Sequence, residues 1–580
     1  MVKVQMKMPD RKNCKSIAQP TGPATITKKR ATNTRLTVPM SRLRIARIAT
    51  LASIATTVVA CGCSKSNTTE SNRADRDETT LSPLPVDSAG SPMFEEGNAR
   101  PEVSLDGAAS EARLTLPGSS NKLAALSWDT PIHSEPDKES TILGYLRVGA
   151  VIAASDNPVG QKDCPGGWYR IAPFGHVCVA TSNATLNLEH ELVRATSRRP
   201  DISSSLPYMY GTVRRAGPIY SRPPSHEEAS TAEPGLDERM RQWLTTPGDN
   251  GASFRIDLWL RWKDRTSDAN PTALWEAKAN ADIPWFVDGR TPPGNLANIG
   301  KNKADLIIGQ LKRHQGFAFT DTFVRDGRRY GITTRLVTIP VDRIRPISGS
   351  SFHGFEIPKD VNFPFAIVRG RSAFAYSIDK GTRTKAKPLE RRTAVQLTEK
   401  KTFHEGVLHY ETADGYWVSD REVSRLDPAR RMPAWGKNGE RWIDINVTKQ
   451  TLVAYDGMRA VFATLVSTGE AGLGDPEKTK STKRGIFRID RKHVTATMSS
   501  TEVGEEFELN DIPYVQYFEG GYALHAAYWH DDFGVPRSHG CINMSPDDAR
   551  RLFYWTEPKL PPGWHTVRRP LTGSVVFVHP

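Results

Sequence analysis

The stretch Arg537–Arg551, RSHGCINMSPDDARR, decides how the C-terminal part of this chain is read. Its second half marks a helix start. Ser545 stands at the N-cap, Pro546 at the first helical position, and Asp547 and Asp548 put negative charge in the first turn. Cys541 therefore falls at the end of a strand or turn, just ahead of a helix N-terminus. Upstream the texture is β. RWIDINV alternates, with Ile443, Ile445 and Val447 on one face. TLVAY and MRAVFATLVS are joined by Asp456-Gly457, a hairpin turn in which glycine takes positive φ. A further strand follows Gly485, and His525 lies in the β-like run GGYALHAAYW. Residues 438–580 are predicted to form one mostly β unit with a short helix after the cysteine.

The other end of the chain reads as an address. Residues 1–60 hold twelve Lys and Arg against one acid, so nearly all of the formal charge of +13 sits there. The remaining body is close to neutral, and nucleic acid is not implied as a partner. Arg42, Arg44 and Arg47 precede an apolar run from Ile48 to Ala60, too short to span a bilayer and suited to a signal-peptide core. Val58-Val59-Ala60-Cys61 resembles a bacterial lipobox, which implies cleavage at 40–60 and lipidation of Cys61; the alternative is an ordinary secretory signal. Gly62 after the cysteine is similar to lipoproteins sorted to an outer membrane. Residues 1–39 have the look of an unfolded upstream extension. Residues 61–125 are rich in Ser, Thr, Asp, Glu and Pro, and are expected to be a disordered tether.

Export sets the cysteine arithmetic. Cys164 and Cys178 flank the short loop CPGGWYRIAPFGHVC and are expected to pair in an oxidising compartment, contributing about 3 kcal/mol through loop closure. Cys63 lies beside the lipidation site on a tether and is a poor partner for Cys541, which is left alone. Between 126 and 435 short β runs alternate with turns. The segment 126–190, with strands around Leu143–Leu146 and Ala150–Ala154, resembles a bacterial Src-homology-3-like barrel. Pro131-Ile132-His133-Ser134 is echoed by Pro218-Ile219-Tyr220-Ser221, so 205–435 is read as further β modules with insertions.

An unpaired thiol becomes a nucleophile when a base takes its proton or its anion is stabilised. His539 and His525 are both candidate bases, and spacing does not choose between them. Gly540 permits unusual backbone, and successive N–H groups there are suited to binding an oxyanion. A zinc site from His525, His530, His539 and Cys541 is the competing reading, although it has no Cys-x-x-Cys or His-Glu-x-x-His pattern.

His525 followed by Ser538-His539-Gly540-Cys541-Ile542-Asn543 resembles the signature of the L,D-transpeptidase catalytic domain of the YkuD type. That resemblance implies a β-sandwich of mixed strands, with Cys541 as nucleophile and His525 as its proton acceptor and donor. Ala526 would orient His525 through its carbonyl. His539 and Gly540 would line the oxyanion and substrate side, with Ser538 and Asn543 holding the loop. Tyr514, Tyr517 and Tyr528 are candidate substrate-wall residues. Lys483 stands where the family often has proline, in Thr482-Lys483-Arg484-Gly485. The implied activity joins the third residues of peptidoglycan stem peptides through a thioester on Cys541, with no cofactor. The same thioester serves an L,D-carboxypeptidase or protein attachment, and a wall-binding lipoprotein without activity is the remaining class. The implied location is the cell envelope, facing the periplasm.

Overall fold

The computed structural model describes residues 115–245, 283–288, 305–359, 361, 363–429, 431–500 and 507–580. The expected signal segment, Cys61, Cys63 and most of the expected tether lie outside the described residues. Folded structure begins earlier than composition suggests: Leu116 is buried and Lys122–Ala125 is already a strand.

The C-terminal unit is built on two sheets. The first runs Phe355–Glu356, Arg459–Leu465, Thr451–Asp456, Arg441–Asn446, Val575–His579, Gly485–Arg488. Its central pairing is parallel, Trp442 opposite Val575 through Asn446 opposite His579, so the last strand of the chain inserts beside the first strand of the unit. The hairpin pairs Asp456 with Arg459, which makes Gly457 (φ +59°) and Met458 the two loop residues, one place on from the expected turn. The second sheet contains Arg491–Ser500, Phe507–Glu519, Tyr522–Ala526, Ile542–Met544 and Thr566–Arg568.

Alternation decides what lies between the sheets. Ile443, Ile445 and Val447 pack with Tyr514, Phe518, Leu524, Ala526, Ile542 and Met544 and with the helix residues Ala549, Leu552 and Phe553. The helix Pro546–Trp555 starts at Ser545, whose side chain accepts from the Asp548 N–H. Full burial of each such aliphatic or aromatic side chain stabilises by roughly 1.5–3 kcal/mol, which makes this layer the main anchor of the unit.

Three further β units surround this one. In the first, Leu123, Ile132, Leu146, Ile152 and Val177 enclose a core into which Trp564 of the C-terminal unit is plugged. Its strand Ile142–Arg147 pairs with Thr566–Arg568, so the second sheet continues into it. The second unit runs Ile307–Leu311, Gly217–Tyr220, Thr338–Pro340, Arg328–Thr333, Gln315–Arg325, Met209–Val213, Ile344–Ile347. It joins the same sheet at the parallel pairs Gln315 with Glu508 and Gly316 with Leu509. The third is a seven-stranded sheet of residues 365–426 that packs Phe365, Ile367 and Leu426 on Val453, Tyr455 and Ala463, the outer side of the first sheet. Strand Thr451–Asp456 is consequently buried on both faces up to Tyr455. The three β units are joined to the C-terminal unit by strand pairing and shared core. Cys164 and Cys178 are joined in a disulfide.

Asp511 sits where the first and second units meet the C-terminal one. Its carboxylate is 1% exposed and lies 2.7 Å from Arg147 of the first unit. Thr334 and Thr495 donate to it at 2.6 and 2.7 Å, and Tyr210 donates to its backbone carbonyl at 2.7 Å. Burial alone would raise its pKa, but Arg147 and the two hydroxyls outweigh that, and the net shift is downward.

Candidate active site

Two adjacent strands carry the candidate chemistry. Tyr522–Ala526 and Ile542–Met544 run parallel, with Leu524 opposite Ile542, His525 opposite Asn543 and Ala526 opposite Met544. Leu524, Ala526, Ile542 and Met544 face the core. By the two-residue period, His525, Asn543 and Cys541 share the opposite face, with Cys541 diagonal to His525. That face is covered by a second cluster containing Ala523, Tyr517, Val515, Tyr528 and, from the second β unit, Tyr210, Ala318 and Ile347, and Cys541 packs against its edge. Cys541 is the single free cysteine among the described residues and is half-buried.

His525 is 2% exposed, and its Nδ1 lies 3.1 Å from the Ala526 carbonyl. A carbonyl only accepts, so Nδ1 carries the proton and Nε2 keeps its lone pair. Burial lowers the imidazole pKa to about 4, with the Ala526 bond opposing weakly, so His525 is neutral at neutral pH. The Cys541 S–H donates to the Gly521 carbonyl at 3.6 Å. Burial raises this thiol to about 11, and the Ala523 backbone pulls it partly back. At neutral pH the thiol and the imidazole are both uncharged.

The loop before Cys541 is tied on every side. Ser538 Oγ accepts from the Gly540 N–H at 3.1 Å and donates to the Cys541 carbonyl. The Gly540 N–H is thereby in use, a correction to the expectation of successive free N–H groups. Gly540 has φ +122°, and a Cβ there would stand 2.8 Å from the Tyr522 ring, so no other residue fits without displacement. Ser467 and Asn543 exchange two backbone hydrogen bonds at 2.9 Å, while Ser538 N–H donates to the Thr468 carbonyl at 2.9 Å. Thr482 is fully buried; its hydroxyl donates to the Gly540 carbonyl at 2.8 Å and accepts from the Gly469 N–H at 2.9 Å. Sequence reasoning singled out the neighbouring Lys483, which pairs with Glu519 at 2.7 Å, and passed over Thr482. A fully buried threonine has no local signature that separates it from a solvated one.

The segment between His525 and Cys541 is held by the third β unit. Asp531, 3% exposed at its side chain, takes Arg391 at 3.6 Å, Arg392 and Ser350. Arg371 lies 3.2 Å from Asp532, and Arg369 donates to the Gly534 carbonyl at 3.3 Å. His530 Nε2 is 2.9 Å from the Asn543 side-chain amide. Burial lowers its pKa to about 3. His530 is therefore committed to holding the loop, and among the described residues no three His, Cys, Asp or Glu side chains converge as metal ligands.

The tyrosines divide. Tyr514 is fully buried in the core on the far side of the sheet, with its hydroxyl on the Ser204 carbonyl, and is not a wall of the site. Tyr517 and Tyr528 lie in the cluster beside Cys541, both fully or almost fully buried. The Tyr528 ring lies tilted against that of Tyr210, centroids 4.5 Å apart, so it packs on the second β unit. His539 is half-buried, its ring 5.2 Å from that of Phe507.

A strand-end thiol, a neutral imidazole oriented by a carbonyl and a tightly tied loop are parts that cysteine acyl-transfer chemistry uses. Residues 440–576 match the family model of the L,D-transpeptidase catalytic domain (YkuD), and the chain carries that domain there. No curated protein matches the chain. Among solved structures it is similar to an L,D-transpeptidase from Enterococcus faecium, at 20% identity and TM-score 0.19, over 24% of this chain and 50% of that one. A Stackebrandtia nassauensis L,D-transpeptidase matches at 23% identity and TM-score 0.18, over 27% and 58%. One from Mycobacterium smegmatis matches at 18% identity and TM-score 0.20, over 31% and 77%. The chain thus spans about half the length of the first of these.

Proposed function

We propose that this chain is a peptidoglycan L,D-transpeptidase working through a thioester on Cys541. Supporting this is one arrangement above all: Cys541 and His525 on one face of adjacent parallel strands, within a unit that matches the L,D-transpeptidase domain. His525 Nε2 takes the thiol proton as Sγ attacks the carbonyl at the L-centre of the third residue of a tetrapeptide stem. The C–S bond forms, the peptide C–N bond breaks, and the proton passes to the departing D-alanine amine. An amine of a second stem then attacks the thioester, His525 takes its proton, and the thiol is released with a cross-link between third residues. Water as acceptor would give an L,D-carboxypeptidase, and a protein amine would give attachment of that protein to the wall. Cys61 is proposed as the lipid anchor that keeps the enzyme at the envelope, and Cys61→Ser should release it to the soluble fraction.

The test is incubation with disaccharide-tetrapeptides, reading products by mass. Cross-linked dimers from wild type and none from Cys541→Ala are expected, whereas trimmed tripeptides alone would select the hydrolase. A carbapenem mass adduct that persists in Cys541→Ala would overturn the nucleophile. Unchanged activity in His525→Ala would transfer the base role to His539.

A further inference from the structure

Tyr517 holds a position that the acyl-transfer scheme leaves unused. On strand Phe507–Glu519 it pairs with Ala523 on one side and with Arg491 on the other. The neighbouring register, Leu524 with Ile542, sets Ala523 beside Cys541. Residues directly opposite across a ladder point to the same face, so Arg491, Tyr517, Ala523 and Cys541 form one row across four strands. The residue between the phenol and the thiol is an alanine. Its methyl is short, and the flanking Cα atoms stand two strand spacings, about 10 Å, apart.

The ring of Tyr517 is fixed while its hydroxyl is not. The Arg491 guanidinium lies 4.5 Å over the ring centroid, and His493 meets it edge-on at 5.6 Å and 84°. The residue is 2% exposed, yet among the described residues its hydroxyl has no hydrogen-bond partner. A buried hydroxyl without a partner is destabilising, and phenylalanine would fill the same place without that penalty. Nearby, the Gly540 N–H is already given to Ser538.

We propose that Tyr517 is a catalytic residue whose hydroxyl donates a hydrogen bond to the carbonyl oxygen of the acyl group on Cys541 and to the oxyanion that precedes and follows it. This rests on the reading of Cys541 as the acyl carrier. The phenol keeps its proton throughout and no bond to it forms or breaks.

The experiment compares full-chain wild type, Tyr517→Phe and Cys541→Ala. Single-turnover acylation by a carbapenem is followed by mass, with transfer on the disaccharide-tetrapeptide and thermal unfolding measured alongside. Tyr517→Phe is expected to keep or raise Tm, and to acylate and transfer about 100-fold more slowly per active site, with the loss in kcat rather than KM. Wild-type rates in Tyr517→Phe would overturn the proposal. So would a clear fall in Tm, since that would mean the hydroxyl already had a partner in the resting enzyme. If wild type forms no adduct, or Cys541→Ala still does, the acyl-carrier reading itself fails, a result distinct from either.

Discussion

The first and third β units are attached to the catalytic unit in opposite ways. The first adds a strand to the edge at Thr566–Arg568, plugs its core with Trp564 and places one buried ion pair, Arg147 with Asp511, at the seam. The third also packs apolar side chains on the outer sheet, but its arginines reach the loop between His525 and Cys541. The seam of the first unit is a matter of stability, because a buried charge without its partner is strongly unfavourable. The arginines of the third act on where the loop sits. Accessory units of similar β texture therefore differ in what they control.

Acid should have the largest effect. Burial lowers His493, His530 and His565 to about 3 and His525 to about 4. Each is neutral when folded, so its contribution is full above the ordinary value of 6.5 and is lost progressively as pH falls from there toward the folded value. Equilibrium unfolding against pH should steepen below 6.5, the four rings together contributing most near pH 5, while Asp548, raised by burial to about 6, offsets about one proton there. A flat profile over that range would contradict the burial of these rings.

Next in size is Arg147→Met, which leaves the Asp511 carboxylate buried and unpaired and is expected to cost about 3–5 kcal/mol in denaturant titration. Adding Asp511→Asn should recover part of this. Thr482→Val keeps the volume but leaves the Gly540 carbonyl and the Gly469 N–H without their hydroxyl, a loss of about 1–3 kcal/mol by the same measurement. Asp531→Asn removes the charge that gathers Arg391 and Arg392; the acylation rate should fall about tenfold while Tm changes little. Smallest is Arg371→Ala. Both partners of its pair are substantially solvent-accessible, and the change should stay within about 1 kcal/mol. A larger effect of Arg371→Ala than of Asp531→Asn on acylation would reverse the assignment of the loop anchor.

Much of the catalytic unit was legible because its signals are local. The alternation of Ile443, Ile445 and Val447 and the cap at Ser545-Pro546 each depend on neighbours in sequence, and each corresponds to an observed element. Tyr514 and Tyr517 divide between the two faces of strand Phe507–Glu519. Asp511 and Tyr514 take φ of +51° and +54°, and the pairing slips between Ala496 and Met498. The irregular backbone breaks the two-residue period at Ile512, which joins Val515 and Tyr517 on the Cys541 face, while Tyr514 and Phe518 alternate with them into the other core.

The sequence by itself determined the lone cysteine, the nearby histidines, the strand-then-helix frame around them and the resemblance these residues carry. Only the tertiary structure decided which side chains meet: that Thr482 clips two loops, that Arg147 answers Asp511, and that Tyr517 stands across Ala523 from the thiol. Those contacts join residues tens to hundreds of positions apart through strand register, and register is set by the packing of whole faces, which no short window of sequence contains.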